Sequence, residues 1–521
     1  LGSRRALSAR RVVALLGLTS TLTLVSFGSA LGAGFVYDDE WTIVHNARLD
    51  EPLGTLLLAS WKGEAKGLRI PDATRPVMVA STWIDRRLFG LRPKGYHAHS
   101  LALHALVSAL AAFSVFALTG RRRLAMLAAV FFSTAPIHTE VVAAVNNRED
   151  AIAALGVLGS LTLLFWPRPF GRSACGQDAS VTAPRWCAAL ATCLPGALWL
   201  VGLCAKESAI ALVPIAAAAW VFHRRRRAFV AEHEPMLLAL LSVGIIWGSW
   251  RVGLHFGSDD IPTVHAMGMA ERLARTARYE AWAAASEVVP LWPAPEHARL
   301  GPASVGWFVV VACLAFLALL LSRRRATRVP ALGLVVALVA PLASSPVVGP
   351  INEYADRYLY LGALGGALIW SWALDRAAAA VIRRTGRRAL VPFAVVVGGT
   401  CAALSARATG VWHDEMSLWT EATRVAPESP RAWAGLSHAM RLAGRVDDAL
   451  ELSKRALEID PTYAPAHLTN GYNLLRAGRR DEALSEIAYV QEHAPDLPGL
   501  ARGVECAALP APAAATCVEP H

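Results

Sequence analysis

The chain has 521 residues, 55% hydrophobic and 17% charged, with a formal net charge of +11. Soluble domains carry about 25% charged residues, so this composition excludes an ordinary soluble globular protein and points to a polytopic membrane protein. Nor does the positive excess form a nucleic-acid-binding face: five of 51 basic residues are Lys, and many Arg sit in short clusters between apolar runs, as in cytoplasmic loops.

The first apolar run, 12–35, carries no charge and follows Arg4, Arg5, Arg10 and Arg11. It is longer than a secretory-signal core, so it is expected to be retained as a helix. Further runs at 97–119, 124–144, 150–166, 187–204, 207–222, 235–256, 303–321, 329–348, 358–374 and 389–406 bring the expectation to eleven spans. Arg clusters at 4–11, 121–123, 168–185, 224–227, 323–328 and 376–388 all fall on the side of the N-terminus when these spans are counted in order. The acid-bearing loops 36–96, 136–149, 257–302 and 349–357 fall on the other side. The positive-inside rule then places the N-terminus in the cytoplasm and the C-terminal region outside it. Arg-over-Lys and Ala-rich usage suggests a GC-rich bacterium, hence an inner membrane with its far face in the periplasm.

After 406 the chain becomes polar and amphipathic. Gly444 pairs with Gly478, Ala449 with Ala483 and Pro461 with Pro495, each 34 residues apart. That period, with small residues at a helix crossing and Pro closing the second helix, is a tetratricopeptide signature over 407–500. The Ala/Pro-rich end, 501–521, is expected to be poorly ordered. The eight Cys show no metal-ligand spacing, and no metal is expected. If the tail is extracytoplasmic, Cys506 and Cys517 could form a disulfide.

Unusual polar residues gather on the outer face. Asp38, Asp39 and Glu40 stand at the exit of the first span, in "FVYDDEWTIVHN". "PIHTEVVAAVNNRED" carries His138, Glu140 and Arg148, "CAKES" carries Lys206 and Glu207, and "NEYADRYLYL" carries Asp356 and Arg357. Ionisable groups at or near bilayer depth are costly and line cavities or pair with each other. Each has a plainer reading as well: a solvated helix end for the acidic triplet, packing or pairing for the others. His97, His99 and His104 are expected to be packing residues.

The order of these motifs, from Tyr37-Asp38-Asp39 through Pro136-x-His138-x-Glu140 to Arg357-Tyr358-Leu359-Tyr360-Leu361, resembles the transmembrane and tetratricopeptide-repeat-containing O-mannosyltransferases. These are polyprenyl-phosphate-sugar-dependent glycosyltransferases of the GT-C class, and the resemblance runs over roughly 35–500. Departures are the short repeat array and Asp85, where the family often has Asn. The resemblance implies an all-α, GT-C-like membrane bundle over 1–406 followed by a short extracytoplasmic repeat solenoid. It implies transfer of a sugar, mannose foremost, from a polyprenyl-phosphate donor to a hydroxyl, with Ser/Thr of exported proteins as acceptors reached through the repeats. It also implies inversion by direct displacement and no cofactor beyond the lipid-linked donor. A carboxylate must take the hydroxyl proton, and Asp39 is favoured with Asp38 close behind. The leaving phosphate needs cations or donors, for which His138, Arg148, Lys206 and Arg357 are the candidates, with Glu140 and Glu207 beside them. Two other classes stand open: a transferase modifying a lipid or cell-wall glycan, and a non-enzymatic scaffold or transporter recruiting partners through its repeats.

Overall fold

The computed structural model describes residues 9–62, 75–166, 185–223, 226–253, 268–290, 293–297, 304–346, 354–495, 497, 499–510 and 513–517. Every regular element among the described residues is a helix. The chain divides into two compact units, one of residues 1–293 and 302–410, the other of 294–301 and 411–521.

In the first unit six helices are long and apolar enough to cross a membrane: Ala9–Gly32, Pro93–Thr119, Ala228–Gly253, Val305–Ser322, Arg325–Ser344 and Leu390–Val411. A seventh arises if Arg122–Thr134 and Pro136–Ala143, bent by 51°, act as one span. The bend follows from Pro136, which cannot donate to the ladder and holds Ala135 extended before it.

Eleven spans were expected, and each shortfall has a local cause. The run 150–166 lies in Arg148–Phe165, whose first turn is Arg-Glu-Asp. The runs 187–204 and 207–222 become the shorter apolar helices Ala189–Leu203 and Glu207–Phe222. The second opens as a 3₁₀ turn before an 11-residue α-helix, which rises about 17 Å against a hydrocarbon core of about 30 Å. The run 358–374 is divided between the 3₁₀ turn Asp356–Leu359 and the helix Ala363–Thr385, which carries Asp375, Arg376, Arg383 and Arg384.

The core of this unit is aliphatic, with Val107, Ala111 and Val115 packed among Leu124, Leu127, Val157, Leu158 and Leu161. Helices approach closely where side chains vanish. A Cβ on Gly156 would lie 2.5 Å from the Leu198 carbonyl oxygen and 2.8 Å from the Gly202 Cα, so alanine there would force the pair apart. Val305–Ser322 turns Val305, Val309, Phe316 and Leu319 outward, a surface suited to lipid rather than water.

The second unit holds two complete helix pairs, Pro430–Leu442 with Val446–Ile459 and Ala464–Arg476 with Arg480–His493, preceded by Glu415–Val425. Gly444 and Gly478 take φ of 76° and 75° between the helices of each pair, a left-handed turn that glycine adopts without steric cost. Ala449 and Ala483 are fully buried where the helices cross. Buried Asn473 ties the two pairs together, its amide donating to Ser437 Oγ at 2.8 Å, the Ala449 carbonyl at 3.0 Å and Ser453 Oγ at 3.2 Å. The segment 294–297 also belongs to this unit: Glu296 accepts from the Ser429 hydroxyl at 3.1 Å and pairs with Arg431 at 2.8 Å.

The tail departs from the disorder expected of it. Leu500–Ala508 and Ala513–Cys517 are helices joined by a Cys506–Cys517 disulfide. Its Ala residues serve as small packing groups, and Leu500, Cys506, Ala507 and Ala514 are buried with Leu468, Tyr472 and Ile487 in the repeat core.

Candidate active site

The acidic triplet sits in a strained turn. Tyr37 has φ of 62°, the one non-glycine residue at positive φ among the described residues. That conformation costs an L-residue roughly 1–2 kcal/mol and clusters at functional sites. A π-helical turn, Glu40–Val44, follows, another feature frequent at such sites.

The two aspartates go to different places. Asp39 is fully buried and accepts from the backbone N–H groups of Asn146 at 2.7 Å, Val145 at 3.1 Å and Val36 at 3.5 Å. Burial pushes its carboxyl up to about 7; the three donors work against the rise and Asp38 adds to it. Asp39 therefore clasps its own turn to the 3₁₀ turn Val145–Asn147. Asp38 is half-buried, and its carboxylate acts on Arg357, some three hundred residues further along the chain. Burial opposes the charge on Arg357, but Tyr358, Glu140 and Asp38 outweigh it and raise its pKa well above the usual value.

Glu140 and Arg357 are ion-paired directly. Glu140 also accepts from the Arg357 backbone N–H at 3.0 Å and from the Asn147 amide at 3.4 Å. The Arg357 guanidinium lies 4.9 Å over the Tyr358 ring and donates to its hydroxyl at 3.3 Å. Lys206 stands 5.4 Å over that same ring, so one tyrosine serves both candidate cations. Lys206 pairs with Asp150 at 2.5 Å and Glu149 at 3.1 Å. Glu149 continues to Arg75, Arg75 to Glu207, and Glu207 to Arg251, at 2.7, 2.7 and 2.5 Å.

The arrangement is an alternating lattice of cations and carboxylates in a largely buried site. Such pairs are stable only while both members remain, because a lone buried charge is severely penalised. Among the described residues no group of three or more His, Cys, Asp or Glu side chains is placed to hold a metal ion.

Two expected phosphate ligands stand elsewhere. Arg148 is wholly buried, ion-paired with Asp85, and within 2.7 Å of His99 Nδ1 and 5.8 Å of the Tyr96 ring centre. Asp85, the departure from the family pattern, is thus its counter-charge. His138 is fully buried, with Nδ1 on the Phe132 carbonyl at 2.9 Å and its ring against His104, Phe132 and Tyr360. Sequence reasoning missed Arg75, Glu149, Asp150 and Arg251 as members of the lattice. Arg251 had a usable signal as a cation ending an apolar helix; Arg75, before Pro76, had none beyond its place in the Arg-Pro dipeptide.

A tetratricopeptide-repeat family model matches residues 440–502. Among curated proteins, Protein O-mannosyl-transferase TMTC1 of Mus musculus is 31% identical over 172 residues, 32% of this chain and 18% of the relative. Protein O-mannosyl-transferase TMTC4 of Homo sapiens is 33% identical over 177 residues, 30% of this chain and 23% of the relative. A Protein O-mannosyl-transferase of Caenorhabditis elegans aligns over 473 residues at 20% identity, covering 85% of this chain and 62% of the relative. The matches thus span about a fifth of the mouse and human proteins, and all three relatives are animal proteins. No solved structure matches the chain.

Proposed function

We propose that this chain, a relative of the transmembrane and tetratricopeptide-repeat-containing O-mannosyltransferases, moves a sugar from a polyprenyl-phosphate donor to a hydroxyl on the far side of the membrane from its N-terminus. Mannose is the first candidate sugar, and Ser or Thr of exported proteins the first candidate acceptor. The observation that carries this reading is the convergence of distant motifs, in which Asp38 bears on Arg357 while Arg357 holds Glu140.

Asp38 is the general base in this reading, a reversal of the order read from the sequence. A base must reach the hydroxyl proton, and Asp39 is committed to three backbone donors. Asp38 takes the proton as the acceptor oxygen attacks the anomeric carbon from the face opposite the phosphate. The bond from anomeric carbon to phosphate oxygen breaks, and polyprenyl phosphate leaves with the electron pair. The configuration inverts. Arg357 and Lys206 receive the charge that develops on the phosphate, and Glu140, Glu149, Asp150 and Glu207 keep the cations in place. Arg148 and His138 support the site from within the bundle.

The orientation read from the loop charges belongs to the same proposal and sets the repeats outside the cytoplasm, in a bacterium the periplasm. The Cys506–Cys517 disulfide supports an oxidising compartment there. The repeats would then present an acceptor segment, as stacked helix pairs do with extended peptides. The test is transfer by purified full-length protein from polyprenyl-phosphate mannose to peptides of exported proteins. Transfer to Ser or Thr is expected, and failure with every polyprenyl-phosphate sugar overturns the reading.

A further inference from the structure

The helix Met269–Val288 carries three polar side chains that the lattice does not use. Tyr279, Glu280 and Glu287 are all buried. Neither the Tyr279 hydroxyl nor any carboxylate oxygen of Glu280 or Glu287 has a hydrogen-bond partner among the described residues. Over 90% of buried polar groups find a partner, and one left without costs about 1–3 kcal/mol, more if charged. Three on one helix call for an explanation.

Their location supplies one. The helix is locked against the segment that follows Arg357 and Tyr358. A Cβ on Gly362 would fall 1.7 Å from the Glu287 Oε1, and one on Gly366 would fall 2.0 Å from the Glu287 carbonyl oxygen. Only hydrogen at those two positions lets the helix sit this close. Burial pushes the Tyr279 hydroxyl up, and the charges of Glu280, Tyr358, Glu287 and Asp150 add to it. Tyr358 and Asp150 are the partners of Lys206 and Arg357 described above. Beside these groups lies an aromatic edge: Trp282 meets Tyr354 edge-on at 5.2 Å, and Tyr279 faces Tyr354 at 6.3 Å.

We propose that Tyr279 and Glu280 are the sugar-reading residues of the transfer site, exchanging hydrogen bonds with ring hydroxyls of the donor's sugar. This rests on the transferase reading. A hydroxyl suits these groups because it both donates and accepts. It can donate to an ionised carboxylate or accept from a protonated one, and burial pushes Glu280 up to about 8. A metal ion would instead demand ionised ligands and a third donor, and among the described residues no such group of three exists. Glu287, pinned on Gly362, holds the helix in register with the Arg357 segment.

The test uses full-length protein and a series of donors: polyprenyl-phosphate mannose and its 2-, 3-, 4- and 6-deoxy analogues. A site built around a substrate hydroxyl rejects the analogue lacking it, so wild type should favour mannose over at least one deoxy donor by roughly a hundredfold or more in kcat/KM. In Glu280→Gln or Tyr279→Phe that ratio should fall towards unity, through loss with mannose rather than gain with the analogue. Each change preserves shape, Tyr279→Phe removes an unpartnered buried hydroxyl and Glu280→Gln removes the charge a buried carboxylate can carry, so folding survives; should one variant fail to fold, the other decides. If the variants slow mannose and deoxy donors by the same factor, or leave the ratio as it was, Tyr279 and Glu280 do not read the sugar. A wild type that favours no donor in the series overturns the assignment too. No transfer by wild type from any donor overturns the transferase reading and this assignment with it.

Discussion

Replacing Asp39 with Asn separates a clasp from a base. The wild-type carboxyl accepts from Asn146 at 2.7 Å, Val145 at 3.1 Å and Val36 at 3.5 Å, with no exposed surface. Asn can keep one acceptor, the oxygen facing Asn146, but its amide then points donors at the donors of Val145 and Val36. The bond from Val145 at 3.1 Å is lost and at least one buried N–H is stranded, which together cost roughly 2–4 kcal/mol. Asp38→Asn leaves that clasp in place and removes one of the charges acting on Arg357, so it should cost less stability than Asp39→Asn while lowering sugar transfer roughly 10²- to 10⁴-fold as expected for a missing general base. Detergent-solubilised protein at pH 6, melted by tryptophan fluorescence and assayed in parallel for initial transfer rate, reads both quantities. The reasoning is refuted if Asp39→Asn melts like wild type yet transfers nothing, while Asp38→Asn transfers at the wild-type rate.

Asp39 also makes a prediction about pH. A carboxyl at about 7 in the folded chain and about 3.9 in the unfolded one contributes stability that is complete below pH 3.9 and lost as pH rises through 7. The melting advantage of wild type over Asp39→Asn should therefore narrow between pH 5 and pH 8, and an unchanged gap counts against the assigned shift. Lys206→Met strands buried Asp150 and should cost roughly 3–5 kcal/mol; Lys206→Met with Asp150→Asn should recover much of that loss in a melt while transfer stays absent. Cys506→Ser opens a closure of eleven residues and should cost the repeat unit roughly 2–3 kcal/mol. Limited proteolysis of the full chain would show this as faster cutting after 411 with the membrane helices unaffected.

The repeats were legible because their signal is a spacing. Gly444 and Gly478 stand 34 apart in sequence and occupy the same left-handed turn in both helix pairs. The site was legible as a set of motifs but not in its wiring. Asp38 and Asp39 are neighbours of one residue type, and what tells them apart is the distant backbone of Val145 and Asn146, which closes on Asp39. Arg148 stands beside Asp85, 63 residues earlier, a pairing that no motif spacing announces. Span number was least legible, because apolar runs report burial in the bundle as readily as passage through lipid. Arg148–Phe165 is almost wholly buried among other helices, whereas Val305–Ser322 buries one residue in eighteen.

The clasp of Glu296 on Ser429 and Arg431 makes the repeat unit discontinuous in sequence. A fragment beginning at 411 would carry every repeat helix and still lack a piece of its own fold, leaving Arg431 to find another counter-charge. Grafting these repeats onto another membrane bundle, or removing them from this one, is therefore a two-site exchange. A lineage that lengthens the array beyond His493 must displace Leu500–Ala508 and Ala513–Cys517 from the repeat core they help to fill.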